Sequence, residues 1–211
     1  MTLKSLFKWY FSTLLIGASV TCIIGLVSYW MTGSSLFGPV NLLLLTGLLL
    51  PSITQLGFFS YLVFNWLSMG LVRNQKTFNT IQVLFLLVVF GCVAYLNVNK
   101  YNGTDLWMHL SIPMILLVVS VIIGKQKVRF TQKAAFIPTL FFMFTVTMLE
   151  AIPTMNIKGG EAPVSSIAST VLVLVVCNTW QILNLQRWTR ARKEEKSNEN
   201  QSLANKQQKK S

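Results

Sequence analysis

The chain has 211 residues, of which 53% are hydrophobic and only 11% are charged, and its formal net charge is +12. Soluble domains carry about 25% charged residues, so the composition excludes an ordinary soluble domain and indicates an integral membrane protein. Nucleic-acid binding is not expected. It would need a basic face on a folded soluble domain, whereas the basic residues here lie in short gaps and in the tail.

Six stretches are apolar enough and long enough to span a bilayer, which takes roughly 20 residues of helix. The first continues to Trp30 without an A-x-A-like site, so we interpret it as a retained helix rather than a cleaved signal peptide. The pattern predicts an all-α, polytopic membrane protein with a six-helix transmembrane domain over residues 1–188. The predicted spans are 9–30, 43–70, 78–98, 106–124, 134–152 and 163–185.

The second span is the least regular of the six. Its apolar region runs from Phe37 to Leu71 and has Pro51 in the middle. Proline lacks the N–H that a helix needs and clashes with the preceding turn, so it kinks helices. We expect an interfacial or re-entrant lead-in from about Phe37 and then one kinked span. Two spans joined by a tight loop are the alternative.

The positions of the basic residues predict the orientation. With six spans, sixteen of the 18 Lys and Arg residues fall at the two termini and in the second and fourth gaps, and only Lys100 and Lys158 fall on the other side. Cytoplasmic loops are enriched in Lys and Arg, so we expect both termini in the cytoplasm and the chain in the cell membrane. Residues 189–211 are predicted to be a disordered basic tail that contacts anionic lipid headgroups and the bilayer surface.

Several residues within the spans are suited to contacts between helices. Small residues recur at a spacing of four in the first span, which lets another helix approach closely. Isolated amide side chains in the second and third spans can hydrogen-bond to neighbouring helices. These candidate contacts, with other helices or with a partner protein, are Gly17, Thr21, Gly25, Gln55, Asn65 and Gln82.

A second group of polar residues is predicted near the outer boundary of the membrane. Asp105 and His109 are four apart and share a helix face, and Glu150 ends the fifth span. A cluster of His109 with Asp105 or Glu150 could sense external pH or bind a cation. The alternative is a set of interface-level polar groups in contact with water.

The sequence lacks the motifs of known membrane or soluble enzymes. It contains no HExxH, GxSxG or Walker loop. One histidine and scattered carboxylates are too few for a zinc site with three protein ligands, and the three cysteines stand alone in apolar runs. We therefore expect no catalytic activity, no metal and no cofactor.

Three stretches resemble the KinB-signalling pathway activation (KbaA) proteins of spore-forming bacilli: Gln55–Leu62 (QLGFFSYL), the helix end Gly70–Arg73, and Ile81-Gln82-Val83. Chain length, six spans and the basic tail agree as well. The resemblance implies an accessory protein in the cell membrane that helps to activate a membrane-bound sensor histidine kinase in the phosphorelay that starts sporulation. A small transporter or channel is the alternative, followed by a membrane-embedded enzyme or lipid-handling protein.

Overall fold

The apolar stretches form helices in a computed structural model of the chain, which describes residues 3–33, 36–72, 74–101, 103–155 and 163–185. These ranges contain no strand, and six of their helical segments are long and apolar enough to cross a membrane. The predicted all-α fold with six membrane-length helices is therefore confirmed. The predicted tail at 189–211, Lys158 and Glu161 lie outside the described residues.

The helices follow the chain in simple order. Helix α1 covers Leu3–Thr32, α2 Val40–Leu71, α3 Gln75–Lys100 and α4 Gly103–Phe130. The fifth span begins with a 3-10 turn at Lys133–Ala135, followed by α5 at Phe136–Phe141, a π-helical turn at Phe142–Val146, and α6 at Thr147–Met155. The sixth span is α7, Val164–Leu185.

The second span forms one long helix in the structure. Helical hydrogen bonding starts directly after Pro39, whose carbonyl accepts from the backbone N–H groups of Leu42 and Leu43 at 2.8 and 3.0 Å. Helix α2 is therefore one helix with Pro51 inside it, rather than two spans joined by a tight loop. An interfacial position of the segment that begins at about Phe37 stays a prediction. Its first turns are stabilised by packing on α1, where Leu43 fills the space beside Gly25.

The fourth span is longer than the predicted one, 106–124. Lys125, Lys127 and Arg129, which the sequence assigned to a gap, lie in the last turns of α4 instead. Basic side chains interact favourably with the free carbonyl groups at the C-terminal end of a helix, and their long stems allow the charge to reach the membrane surface. A basic residue near a span boundary therefore does not mark the end of the helix.

The fifth span and α7 form the centre of the bundle. In each, 56% of the most apolar stretch is buried, compared with 22–33% in the other four spans. An aromatic cluster around Trp9, Phe58 and Phe142 packs on them, with ring centroids 4.7 Å apart for Trp9 and Phe58 and 5.4 Å apart for Phe58 and Phe142. Polar groups on these two central spans consequently have to find their partners within the protein.

Candidate functional site

Six buried polar side chains from α2, α6 and α7 lie together in the centre of the bundle. Burying a polar group without a hydrogen bond is costly, so a group of this size in an apolar bundle needs a structural or functional explanation. We term it the polar cluster, and its members are Thr54, Gln55, Thr147, Glu150, Asn178 and Gln181.

One half of the polar cluster joins α7 to α6. The Nδ2 of Asn178 donates to Oγ1 of Thr147 at 2.9 Å and to Oε2 of Glu150 at 2.8 Å. Thr147 and Glu150 are three residues apart, so they lie on the same face of α6. A single asparagine side chain thereby fixes the rotation of α6 against α7.

The other half joins α7 to α2. The Nε2 of Gln181 donates to Oε1 of Gln55 at 2.7 Å and, at 3.4 Å, to Oγ1 of Thr54. Gln181 is three residues after Asn178, so both amides lie on one face of α7. Helix α7 therefore connects α2 and α6 through two adjacent amide side chains. Hydrogen bonds of this kind contribute about 0.6–1.7 kcal/mol each within membranes.

The carboxyl group of Glu150 fits beside α2 because residue 57 is glycine. A Cβ atom at Gly57 would overlap Oε1 of Glu150 and would lie 2.8 Å from Cγ1 of Val146. Glu150 is only 8% exposed. The close approach of α2 to α6 and the position of this carboxyl group are thus coupled.

A π-helical turn at Phe142–Val146 precedes this part of α6. The backbone N–H of Phe142 is shared between the carbonyl groups of Pro138 and Thr139. Such turns are rare, occur mostly as single-turn bulges inside α-helices, and are frequent at functional sites. Here the wide turn directly precedes Thr147 and Glu150, the two α6 residues that contact Asn178.

Glu150 contacts α2 and α7 inside the bundle, and its position at the outer boundary of the membrane stays a prediction. It is close to the end of its own span, Lys133–Pro153, but it contacts α2 near the middle of the span Val40–Ser68. Gly57 is about 25 Å from one end of that helix and about 16 Å from the other, at 1.5 Å per residue. Its position within its own helix therefore did not indicate which parts of α2 and α7 Glu150 contacts.

Asp105 and His109, the other two members of the predicted outer group, contact each other, and neither is hydrogen-bonded to Glu150. The Nδ1 of His109 is 2.8 Å from the backbone carbonyl oxygen of Asp105, and the imidazole stacks on Tyr101 with the ring centroids 3.5 Å apart. His109 is buried, while Asp105 is exposed. The hydrogen bond of Glu150 to a side chain is with Asn178 instead.

The predicted helix contacts lie at helix interfaces within the chain. Gly17 is beside Pro51, Thr21 packs at Gly47, and Leu43 contacts the position of Gly25. This stripe of α1 therefore faces α2.

The predicted amides divide between two interfaces. Gln82 of α3 donates through Nε2 to Oδ1 of Asn65 on α2 at 3.3 Å, which links those two helices. Gln55 belongs to the polar cluster. All three amides thus have partners inside the bundle.

Sequence analysis missed four members of the polar cluster, namely Thr54, Thr147, Asn178 and Gln181, and it also missed Gly57. A usable signal existed for two of them. Asn178 and Gln181 are three residues apart within the long apolar run of α7, and such a pair predicts one polar face toward neighbouring helices. The threonines and Gly57 carry no comparable signal, because such residues are common in membrane helices.

A lateral groove with a volume of about 420 Å³ opens between α2 and the fifth span, beside the polar cluster. Its wall is mostly apolar, and Ser60 and Leu56 of α2 form an exposed rim. Glu150 and Thr145 contribute polar groups to its lining. The groove therefore combines an apolar surface along the helices with four side chains that carry polar atoms, namely Ser60, Tyr61, Thr145 and Glu150.

The polar groups around this site are incompletely satisfied by the described residues. Five side-chain atoms have no hydrogen-bond partner among them: Oε1 of Glu150, Oγ1 of Thr145, Nε2 of Gln55, Oδ1 of Asn178 and Oε1 of Gln181. Each unsatisfied buried group costs about 1–3 kcal/mol. The described part of the chain brings no three His, Cys, Asp or Glu side chains together.

Comparison with known proteins identifies relatives over most of the chain. A family model described as KinB-signalling pathway activation in sporulation matches residues 14–188. The KinB-signaling pathway activation protein of Bacillus subtilis (strain 168) is 26% identical over 199 residues, which is 89% of this chain and 98% of that protein. No solved structure matches the chain significantly. The matched region includes the polar cluster and the lateral groove.

Proposed function

We propose that this chain, which belongs to the KinB-signalling pathway activation family, is a membrane-embedded accessory protein of a sensor histidine kinase. In this role it promotes activation of a KinB-type kinase in the phosphorelay that starts sporulation. The observation that carries the proposal is the family match, which extends over residues 14–188 and so over nearly the whole helical bundle.

The structure supports action through membrane helices. The described connections between helices are short, such as 131–132 between α4 and the next turn. Many large apolar side chains on the helix faces are exposed, including Trp66 at 75% and Trp107 at 74%. An accessory protein of this shape offers a partner mainly helix faces within the bilayer, where packing and interhelical hydrogen bonds drive association.

The polar cluster supports a structural role more than a catalytic one. Its hydrogen bonds run between helices, from Asn178 to Glu150 and from Gln181 to Gln55. We propose that these contacts hold α2, α6 and α7 in one fixed arrangement, so that the outer faces present a defined surface to the kinase. On this proposal the protein is not an enzyme and needs no cofactor.

The proposed orientation follows from charge. The basic residues of the N-terminus, the second gap, the end of α4 and the tail would lie on the cytoplasmic side. Both termini are then in the cytoplasm, and the basic tail lies near anionic headgroups.

A genetic experiment tests the pathway. The gene is deleted in its native host, heat-resistant spores are counted, and the deletion is repeated in a strain that already lacks the kinase. The proposal predicts that deletion lowers spore counts only when the kinase is present. Equal loss in both strains, or no loss in either, would contradict it.

A small transporter is the second candidate, because Glu150 is a buried carboxyl group beside the middle of α2. Ionisable residues within membrane spans often mark ion or substrate paths. Purified protein in proteoliposomes would then carry solute or protons across the bilayer, and Glu150→Gln would abolish the flux. Absence of flux together with the kinase-dependent spore defect would exclude this candidate.

A further inference from the structure

The carboxyl group of Glu150 has no cationic partner among the described residues. Glu150 is 8% exposed, and Nδ2 of Asn178 donates to its Oε2 at 2.8 Å. Its other oxygen, Oε1, has no partner, and the described part of the chain contributes no Lys, Arg or His donor to either oxygen. A buried carboxylate without a compensating charge is strongly destabilising, and such groups usually take up a proton instead.

The titratable groups on the elements packed against Glu150 cannot supply a positive charge. On α7, Cys177 lies close enough to interact electrostatically with Glu150. On α2, Tyr61 lines the same groove as Glu150. The buried residues of α3, which also packs on α6, include no titratable group. A thiol and a phenol are either neutral or negative, so neither offsets a negative charge on Glu150.

The polar cluster and its surroundings have more hydrogen-bond acceptors than donors. The buried atoms without a partner among the described residues are three acceptors, one donor and one hydroxyl: Oε1 of Glu150, Oδ1 of Asn178, Oε1 of Gln181, Nε2 of Gln55 and Oγ1 of Thr145. Each atom has almost no accessible surface, so a water molecule or a metal ion has no room beside it. A proton on a carboxyl group supplies a donor and needs no such room.

The contact between Glu150 and Asn178 is half of a known pairing between a carboxylic acid and an amide. In the full pairing, the amide N–H donates to one carboxyl oxygen, and the O–H of the protonated carboxyl group donates to the amide oxygen. The first of these bonds is present, from Nδ2 of Asn178 to Oε2 of Glu150. The second would join Oε1 to Oδ1, which are both without a partner. One proton on Oε1 would therefore satisfy both atoms.

We propose that the carboxyl group of Glu150 is a proton-binding site, protonated at neutral pH, whose O–H donates to Oδ1 of Asn178. The proton comes from water and returns to it on ionisation, so the step needs no other reactant. Once ionised, the carboxylate would lie between Gly57 and Asn178 without a compensating charge, and the contacts of α6 with α2 and α7 would weaken. The site goes beyond the proposed kinase-accessory role and does not rest on it.

Infrared spectroscopy of the full chain, in a detergent without carbonyl groups, tests the proton directly. A neutral carboxyl group absorbs apart from an ionised one, and the chain has only six Asp and Glu residues. At pH 7 the wild-type protein should show the neutral carboxyl band. The band should be lost in Glu150→Gln and kept in Asp105→Asn, which changes an exposed carboxyl group. A wild-type spectrum without the band, or a band that survives Glu150→Gln, would overturn the proposal.

The pH dependence of unfolding tests the same site without a spectroscopic assignment. An ordinary glutamate is ionised above about pH 5, so the folded protein would hold a proton that the unfolded chain has released. Stability should then fall as pH rises. From pH 5 to 7, the unfolded-to-folded ratio of the wild type, divided by that of Glu150→Gln, should rise about tenfold per pH unit.

The control for this measurement is Asp105→Asn, whose pH profile should follow that of the wild type. Parallel profiles for the wild type and Glu150→Gln would contradict proton binding at Glu150. Both experiments use the purified chain without a kinase. Their failure would therefore refute the proton-binding site and leave the kinase-accessory role to its own genetic test.

Discussion

The carboxyl group of Glu150 occupies the space beside Gly57 that any larger residue at position 57 would fill. The same carboxyl group accepts a hydrogen bond from Asn178 at 2.8 Å. One acidic side chain thus contacts both α2 and α7. The contact with α2 is possible because residue 57 is glycine and leaves room for the carboxyl group.

The first prediction concerns this close approach. Gly57→Ala would place a methyl group against Oε1 of Glu150 and Cγ1 of Val146, and overpacking of this kind costs about 1–3 kcal/mol. We expect the free energy of unfolding, measured by denaturant titration in detergent micelles, to fall by that amount. Gly91→Ala on α3 is the matched control, because nothing lies within 4 Å of a Cβ atom there. Equal stability of the two variants would contradict the described packing.

The second prediction concerns Asn178. Asn178→Leu removes the amide that donates to both Thr147 and Glu150. Two buried oxygen atoms then lose their hydrogen-bond donor, and each loss destabilises the fold by about 1–3 kcal/mol. Thermal unfolding of the purified protein should shift to clearly lower temperature. Asn184→Leu provides the control, since among the described residues the Asn184 amide donates to the backbone carbonyl of Trp180, within α7 itself. A shift of the same size in the control would argue against a special role for Asn178.

The third prediction concerns the link between α2 and α7. Gln55→Leu, Gln181→Leu and the double variant form a thermodynamic cycle around a 2.7 Å hydrogen bond. The coupling free energy should be about 0.6–1.7 kcal/mol, the range for hydrogen bonds between membrane helices. Strictly additive effects would show that the two amides do not interact.

The fourth prediction concerns Lys127 at the end of α4. Its side chain is buried, and Nζ donates to the backbone carbonyl of Ile182 on α7. Hydrogen bonds to charged groups contribute about 1.5–3 kcal/mol, so Lys127→Met should lower the free energy of unfolding by up to that amount. Lys125→Met, at an exposed position two residues earlier, should have little effect. A comparable loss at position 125 would contradict a contact specific to Lys127.

Much of the fold was predictable because bilayer thickness sets the length of apolar helices. The sequence predicted six spans and the row of small residues on α1 that includes Gly17. Both features can be recognised within a single helix, from the length of its apolar run and from the spacing of its small residues. It misjudged the start of α2 and the end of α4. Pro39 begins a helix without breaking it, and Lys125 to Arg129 continue one.

The candidate site was only partly predictable, because it depends on contacts between distant segments. Gln55 was identified as a hydrogen-bonding residue, but its partner Gln181 lies 126 residues away. Glu150 was assigned to the outer boundary from its place in its own helix. Its contacts with Gly57 and Asn178 depend on how the fifth span is offset against α2 and α7, and no local pattern records that offset.

The fifth prediction concerns orientation. If the basic gaps lie in the cytoplasm, green fluorescent protein fused to the C-terminus should fluoresce, and alkaline phosphatase fused there should be inactive. The reverse should hold for the same reporters inserted in the gap that contains Lys158. An active phosphatase at the C-terminus would overturn the proposed topology.

The proposed role is tested most directly by kinase autophosphorylation in reconstituted membranes. The KinB-type kinase is placed in proteoliposomes alone, with the full chain, or with the Asn178→Leu variant, and incorporation of labelled phosphate from ATP is followed. The account predicts faster phosphorylation of the kinase with the wild-type chain and a smaller effect with the variant. Identical rates with and without the wild-type chain would contradict activation by direct action on the kinase.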